Sequence, residues 1–371
     1  MELLGLEVKI DAAGNLRAVY SGASLEAPRL LIGSHLDTVP NAGAYDGVLG
    51  VVLGVALLEV LDGRRLPFRI EIVGFSEEEG VRFGIPFIGS RALVGDVDEA
   101  LLANQDAQGV SVRQAIRNFG LDASNIPQAA LKPDSLAYLE FHIEQGPVLE
   151  QMGRPLGAVE AIAGQSRLEF TFVGRANHAG TTPMHLRYDA MAGAAEWITE
   201  VERRAQNVSQ LVATVGRIEA TPGATNVVAG EVRLSLDVRH GEDEVRLSMV
   251  RHLAAEAENI ARKRGLSVQN RTLLAQPAVK MDAVLVGQIE QAIRKTGAEP
   301  RRMVSGAGHD AMIMARKIPS AMIFLRTPGG VSHDPAEAVA VGDVAKAIAC
   351  GMHLLDQLAA CSEFVSGIRR A

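Results

Sequence analysis

Cysteine is scarce. The 371 residues include only Cys350 and Cys361, so a disulfide scaffold is excluded and a reducing, cytoplasmic compartment is expected. Neither cysteine has a His or Cys motif around it, so a thiol nucleophile is not expected. Positive charge is also short. Lys and Arg total 37 against 44 Asp and Glu, a formal net charge of −7, which argues against nucleic acid as a partner because a phosphate backbone needs clustered cations. No apolar run is long enough for a membrane. The longest, Val48 to Leu61, contains Glu59 and falls short of the ~20 residues a span needs. The opening MELLGLEVKID carries acids early and lacks a basic start before a long apolar stretch, so no signal peptide is expected. Repeats and low-complexity tracts are absent too. What is there is ordinary globular usage, 47% hydrophobic and 22% charged, in a chain long enough for more than one domain.

The patterning predicts an α/β fold. Leu6 to Asp11 and Leu16 to Tyr20 alternate around Gly14-Asn15 as a hairpin. Arg29 to Gly33 and Phe68 to Phe75 read as buried strands, and Val48 to Leu61 as a buried helix between them. A strand, polar loop, helix, strand rhythm predicts a mostly parallel central sheet, with ligands beyond the carboxyl ends of its strands. From about Arg167 the rhythm changes. Strands at Leu168–Val173, Leu211–Ile218, Val232–Val238 and Leu266–Leu274 and helices at Asp189–Ala205 and Glu242–Arg264 follow the ferredoxin-like order. The α/β pattern returns near Val284–Thr296 and runs through the strand Ala321–Leu325 to a last helix from Val341. The expected organisation is therefore a discontinuous catalytic domain, 1–166 and 279–371, interrupted by an inserted α+β domain, 167–278.

Residues suited to metal are scattered through the α/β part, each where a strand ends or a Gly-rich loop begins. They are His35 and Asp37 in G-S-H-L-D, Asp46 in A-Y-D-G, the triplet Glu77-Glu78-Glu79, His142 in F-H-I-E-Q-G-P and His333 in G-G-V-S-H-D-P. Imidazoles with carboxylates suit zinc or a similar divalent ion. Asp37, two residues beyond His35, is placed to accept the imidazole's second N–H and fix its tautomer. A lone histidine is usually an ordinary core residue, and a run of acids usually a solvated helix start. Here the triplet ends an apolar strand, where three like charges are costly without a cation nearby.

Together these residues resemble the binuclear metallohydrolases of the aminoacylase/carboxypeptidase type, peptidase family M20. His142-Ile-Glu-Gln-Gly-Pro, Asn177-His178-Ala-Gly-Thr-Thr-Pro-Met and Gly306-Ala-Gly-His-Asp-Ala-Met resemble its hydantoinase/carbamoylase branch. Members carry a further helical segment ahead of the point matching Met1. The resemblance implies two divalent ions per subunit, zinc or manganese first and cobalt or nickel as alternatives. Asp46 would bridge them, His35 and His142 completing one site and Glu79 and His333 the other. Glu78 would be the general base, and His142 stands where the peptidase branch commonly has a carboxylate. His178 would reach from a dimerisation (lid) domain into a facing active site to steady the oxyanion, which makes a homodimer expected. Asn226 and Arg239 would hold a substrate carboxylate, and Gln145 and Gln165 would contact a ureido group. His309 competes with His333 for metal; the family pattern favours His333 and leaves His309 near the substrate.

The implied activity is hydrolysis of the ureido or carbamoyl C–N bond of a small carboxylate. Allantoate amidohydrolase is favoured by D-T-V-P-N-A-G-A-Y-D-G and R-T-P-G-G-V-S-H-D-P-A-E, with N-carbamoyl-L-amino-acid hydrolase or β-ureidopropionase as the alternative. An aminopeptidase is disfavoured by His142 and by the Asn226/Arg239 pair, and a non-catalytic scaffold by the intact set of ligands and Glu78.

Overall fold

A computed structural model describes residues 1–24 and 26–366. They form two compact units, Met1–Glu160 with Met281–Met303 and the residues from Ala307 onward, and Ala161–Lys280 with Val304–Gly306. The boundary expected at 166/167 falls inside the strand Gly164–Val173. The second unit starts earlier, at Ala161, within the last residues of the preceding strand Leu156–Ile162.

The first unit is built on a mixed sheet. Its strands run in the order Val8–Ile10, Leu16–Tyr20, Arg69–Phe75, Arg29–His35, Ser135–Ile143, Ser320–Leu325 and Leu156–Ile162. The neighbours from Arg69–Phe75 to Ser320–Leu325 are all parallel and the flanking pairs antiparallel. The central strands are apolar on both faces, as a doubly covered sheet requires: Leu30, Leu31, Ile32, Ile72, Val73, Leu139, Ile323 and Leu325 are all buried. The helix Val48–Leu61 lies close against this sheet because it carries glycines there. A Cβ on Gly50 would sit 2.1 Å from the Phe141 carbonyl oxygen, and one on Gly54 3.0 Å from Ile72 Cδ1. The hairpin turn is held by Asp11, whose carboxylate accepts from the amides of Ala13 and Asn15. Short helices at Ile88–Val94, Glu99–Ala103 and Val112–Asn118 carry too few turns to show a periodic stripe.

The second unit has the strand order Ile218–Thr221, Glu231–His240, Gly164–Val173, Ser267–Gln276, all antiparallel. The strand expected over Leu211–Ile218 is two pieces, Val212–Thr214 and Ile218–Thr221, both paired with Glu231–His240 and separated around Gly216. The helices Ala190–Gln206 and Asp243–Lys263 pack their apolar stripes on this sheet, around Trp197, Phe170, Phe172, Leu234 and Leu253. The Trp197 indole N–H donates to the Leu253 carbonyl at 2.9 Å, as a buried indole must to avoid an unpaired donor.

Both cysteines are free, and burial pushes the Cys350 thiol up to about 12. Among the described residues no helix is long and apolar enough to cross a membrane.

Candidate metal centre and active site

Four parallel strands of the first unit end together, and their ends and following loops carry the polar cluster. Arg29–His35 ends on His35, Arg69–Phe75 leads into Glu77–Glu79, Ser135–Ile143 carries His142 next to its end, and Ser320–Leu325 leads toward His333. Asp46 sits in the loop before the helix Val48–Leu61. Gly47, at φ +68°, makes that turn beside the His35 ring, which a Cβ would meet at 2.4 Å.

The geometry brings acceptors face to face. His142 Nε2 lies 3.2 Å from Asp46 Oδ1, His35 Nε2 lies 3.6 Å from the same oxygen, and the two Nε2 atoms are 3.3 Å apart. Each ring must use Nδ1–H as a donor, His35 to the Asp37 carbonyl and His142 to the Ile143 carbonyl, both at 2.9 Å. In the neutral rings both Nε2 lone pairs therefore point at each other and at a carboxylate, an arrangement that calls for a cation. On the other side of Asp46, Oδ2 lies 3.2 Å from His333 Nε2, which is 3.7 Å from Glu79 Oε1. That Glu79 oxygen is buried without a hydrogen-bond partner. Among the described residues the groups able to hold a metal ion include His35/Asp46/His142 and Asp46/Glu79/His333, with Asp46 common to both; the others are His35/Glu78/Glu79 and Glu140/His142/His309. An all-nitrogen-and-oxygen donor set of this kind fits divalent zinc, manganese and their neighbours.

The electrostatics follow from burial. Burial alone would raise Asp46, but hydrogen bonds and charge from His142 and His35 hold its carboxyl well below the usual range. Burial pushes the Glu78 carboxyl well up, only partly opposed by His35; its Oε2 is 4.0 Å from His35 Nε2. Burial likewise raises Glu79, with Asp46 adding to it. The backbone is strained here as well: Glu77, Gln145 and His333 all have positive φ, between 53° and 58°, a cost that persists where surrounding contacts over-determine the conformation.

These observations set the terms for comparison with known proteins. The sequence profile of peptidase family M20/M25/M40 matches residues 31–357. The chain belongs to this family. It is 41% identical over 362 residues to an N-carbamoyl-L-amino acid amidohydrolase of Geobacillus stearothermophilus, covering 97% of this chain and 88% of that one. It is 39% identical over 392 residues to an allantoate deiminase of Arabidopsis thaliana, covering 96% and 74%. Among solved structures, a hydantoinase/carbamoylase family amidase from Burkholderia multivorans aligns with a TM-score of 0.90 at 30% identity, covering 95% of this chain and 86% of the other.

Within this M20 chain one expectation changes. Asp37 does not orient His35 through its carboxylate, which is 3.9 Å from Nδ1; its backbone carbonyl does that. The carboxylate instead accepts from the amides of Glu78 and Glu79, at 3.0 and 3.1 Å. A free pair of amides after the strand end is the stronger claimant for the charge. Gln145, expected at the ureido group, directs its side-chain N–H groups to Asp46 Oδ2 at 2.9 Å and Ser332 Oγ at 3.2 Å. His309 packs edge-on to the His142 ring at 4.5 Å between centroids, and burial, with His142 and His35 nearby, drives it well toward the neutral form. Glu77 lines a separate cavity of about 390 Å³ with Arg82, Phe83 and Ile116.

The remaining expected residues lie in the second unit. His178 and Asn226 are neighbours at a two-stranded ribbon, where Asn177–His178 pairs with Val227–Val228 and the Ala179 amide donates to the Asn226 carbonyl at 2.9 Å. His178 Nδ1 accepts from the Gly180 amide at 3.0 Å, which puts the proton of the neutral ring on Nε2. Arg239 faces Gln165 across paired strands. Its guanidinium forks onto both Asp237 oxygens at 2.9 Å and donates to the Gly306 carbonyl at 2.7 Å.

Three buried acids at the first unit's cluster had no sequence signal of their own strength. Glu140 stands two residues before His142, hence on the same strand face; it accepts from Ser34 Oγ and the Ala311 amide. Asp310 follows His309 and is fully buried, its carboxyl raised by burial and by Glu140. Glu337 accepts from the amides of Tyr45 and Asp46. The alternation F-H with Glu140 was the one signal that could have been read.

Proposed function

We propose that this chain is a metal-dependent amidohydrolase that opens the ureido or carbamoyl C–N bond of a small carboxylate, with allantoate the first candidate substrate. The convergence of His35, His142, Glu79 and His333 on the two oxygens of Asp46 carries the reading. The allantoate deiminase relative supports that substrate, and the 41% identity to an N-carbamoyl-L-amino acid amidohydrolase supports N-carbamoyl-L-amino acids as the second reading.

Two divalent ions held by these five side chains supply Lewis acidity toward a carbonyl oxygen and make hydroxide available near neutral pH. The chain's own groups do the rest. Glu78, with its carboxyl raised by burial, takes the proton of the attacking water and returns it to the departing nitrogen, so that an amine leaves as the C–N bond breaks. Asp37, by fixing the Glu78 and Glu79 amides, holds that carboxylate in place. His178 offers Nε2–H to the developing oxyanion, a donor of the kind whose loss costs ~10²–10³ in rate. Arg239 and Asn226 hold the substrate carboxylate, the guanidinium having N–H groups beyond the three already engaged. The second unit serves as dimerisation and lid domain. Its strand Ser267–Gln276 is paired on one side only among the described residues, which supports a homodimer. The free cysteines suit a reducing, cytoplasmic setting.

The test is ammonia release from allantoate, N-carbamoyl-L-amino acids and N-carbamoyl-β-alanine, and free amino-acid release from dipeptides, with wild-type protein and Glu78→Gln. Turnover of a ureido acid, lowered ~10²–10⁴-fold in the variant, is expected. Cleavage of dipeptides alone would overturn the assignment.

A further inference from the structure

Glu337 joins the loop of Tyr45 and Asp46 to the loop of Ser332 and His333. One carboxylate oxygen accepts from the backbone amides of Tyr45 and Asp46, each at 3.0 Å. The other accepts from Ser332 Oγ at 3.1 Å, and that hydroxyl also meets the Gln145 side-chain amide at 3.2 Å. The side chain is buried although it stands on a loop. Asp334 shapes the turn that presents it: its carboxylate accepts from the Ala336 amide, and its carbonyl from the Glu337 amide. The opposing loop has made room, since a Cβ on Gly43 would lie 2.3 Å from Glu337 Cβ.

We infer that Glu337 is a positioning residue for the cation held by Asp46, Glu79 and His333. The inference rests on the metal-site reading above and goes beyond it. His35 and His142 stand on strands and need no such help. His333 stands on a loop at positive φ, and Asp46 on another loop more than 280 positions away in the sequence. A buried carboxylate spanning both anchors the backbone on each side of the pair His333 Nε2 and Asp46 Oδ2, to which the Ser332 hydroxyl and the Gln145 amide add side-chain links. Charge-assisted acceptance of two amides makes this a firm anchor, and partners outside the ligand set commonly change metal affinity 10–100-fold.

Calorimetric titration of metal-free protein with Mn²⁺ or Zn²⁺ tests this without recourse to turnover. Wild type is expected to bind two equivalents. In Glu337→Ala and Glu337→Asp, one of the two equivalents should lose about tenfold or more in affinity, while the other stays within about threefold. Aspartate keeps the charge but is too short to span both loops. Glu337→Gln keeps a carbonyl oxygen for the two amides and should rescue most of the loss. If Glu337→Ala does not fold, Glu337→Asp decides. Wild-type affinities in Glu337→Asp, or equal weakening of both equivalents, would overturn the inference. Failure of wild type to bind two ions would instead overturn the metal-site reading.

Discussion

At the residue scale the site is governed by buried groups whose hold on protons is shifted by burial and by one another. Glu78 and Asp310 are held well above the ordinary carboxylate range by burial. His35, which burial alone would lower, is held up by Asp46, Glu78 and Asp310. All three bind protons in the folded chain that they would release when unfolded. Their contribution to stability is therefore present at low pH and lost as pH rises through the folded values. His309 is shifted the other way, but it matters only below the ordinary histidine value of ~6.5, and the depressed Asp46 only in acid. The melting temperature of metal-free protein is thus expected to fall from pH ~6.5 to ~8, and saturating divalent metal should flatten the slope. A metal-free melting temperature that rises over this range would contradict the account. At this scale the metal-suited residues were legible, because imidazoles and carboxylates at strand ends carry their chemistry in their identity. Glu337 was not, because a lone acid among loop residues looks like any other until its partners are known.

At the element scale the decisive packing is that of the helix Val48–Leu61 on the sheet. Its sequence is apolar all round, so periodicity gives a buried helix without saying which side faces what. Glycine supplies the answer. Gly50 lets the helix approach Phe141, in the strand that presents His142, and Gly47 lets the turn pass the His35 ring. Gly50→Ala is expected to cost ~1–3 kcal/mol by overpacking, measured by urea denaturation. An unchanged denaturation midpoint would show that the helix has room to withdraw. The strand expected over Leu211–Ile218 is broken because propensity alone does not register where a partner strand stops pairing.

At the scale of the whole molecule the proposed homodimer makes two linked predictions. Leu273 is exposed on the one-sided strand Ser267–Gln276, at its irregularity in register. Leu273→Lys should yield monomers in sedimentation analysis, since a charge on an edge strand blocks pairing with another chain. If His178 serves the partner's site, mixing the inactive variants Glu78→Gln and His178→Ala should restore part of the activity through hybrid dimers, and none should return in the Leu273→Lys background. Recovery of no activity from the mixture would place His178 in its own subunit's reaction. The alternation of strands and helices announced the change of pattern near residue 167. It did not announce that Val304–Gly306 joins the second unit, since so short a segment carries no pattern of its own.

The sequence by itself determined the classes of element, the α/β character of the first unit and the identities of the metal-suited side chains, because periodicity and ionisable chemistry are local properties. Tertiary structure alone decided which of those groups meet. It set Asp46 between His35, His142 and His333, gave Asp37 to the Glu78 and Glu79 amides, and bound Glu337 to a loop almost three hundred positions away. Such pairings depend on how strands are ordered in the sheet and how closely glycines let segments approach, and neither is written in any single stretch of the chain.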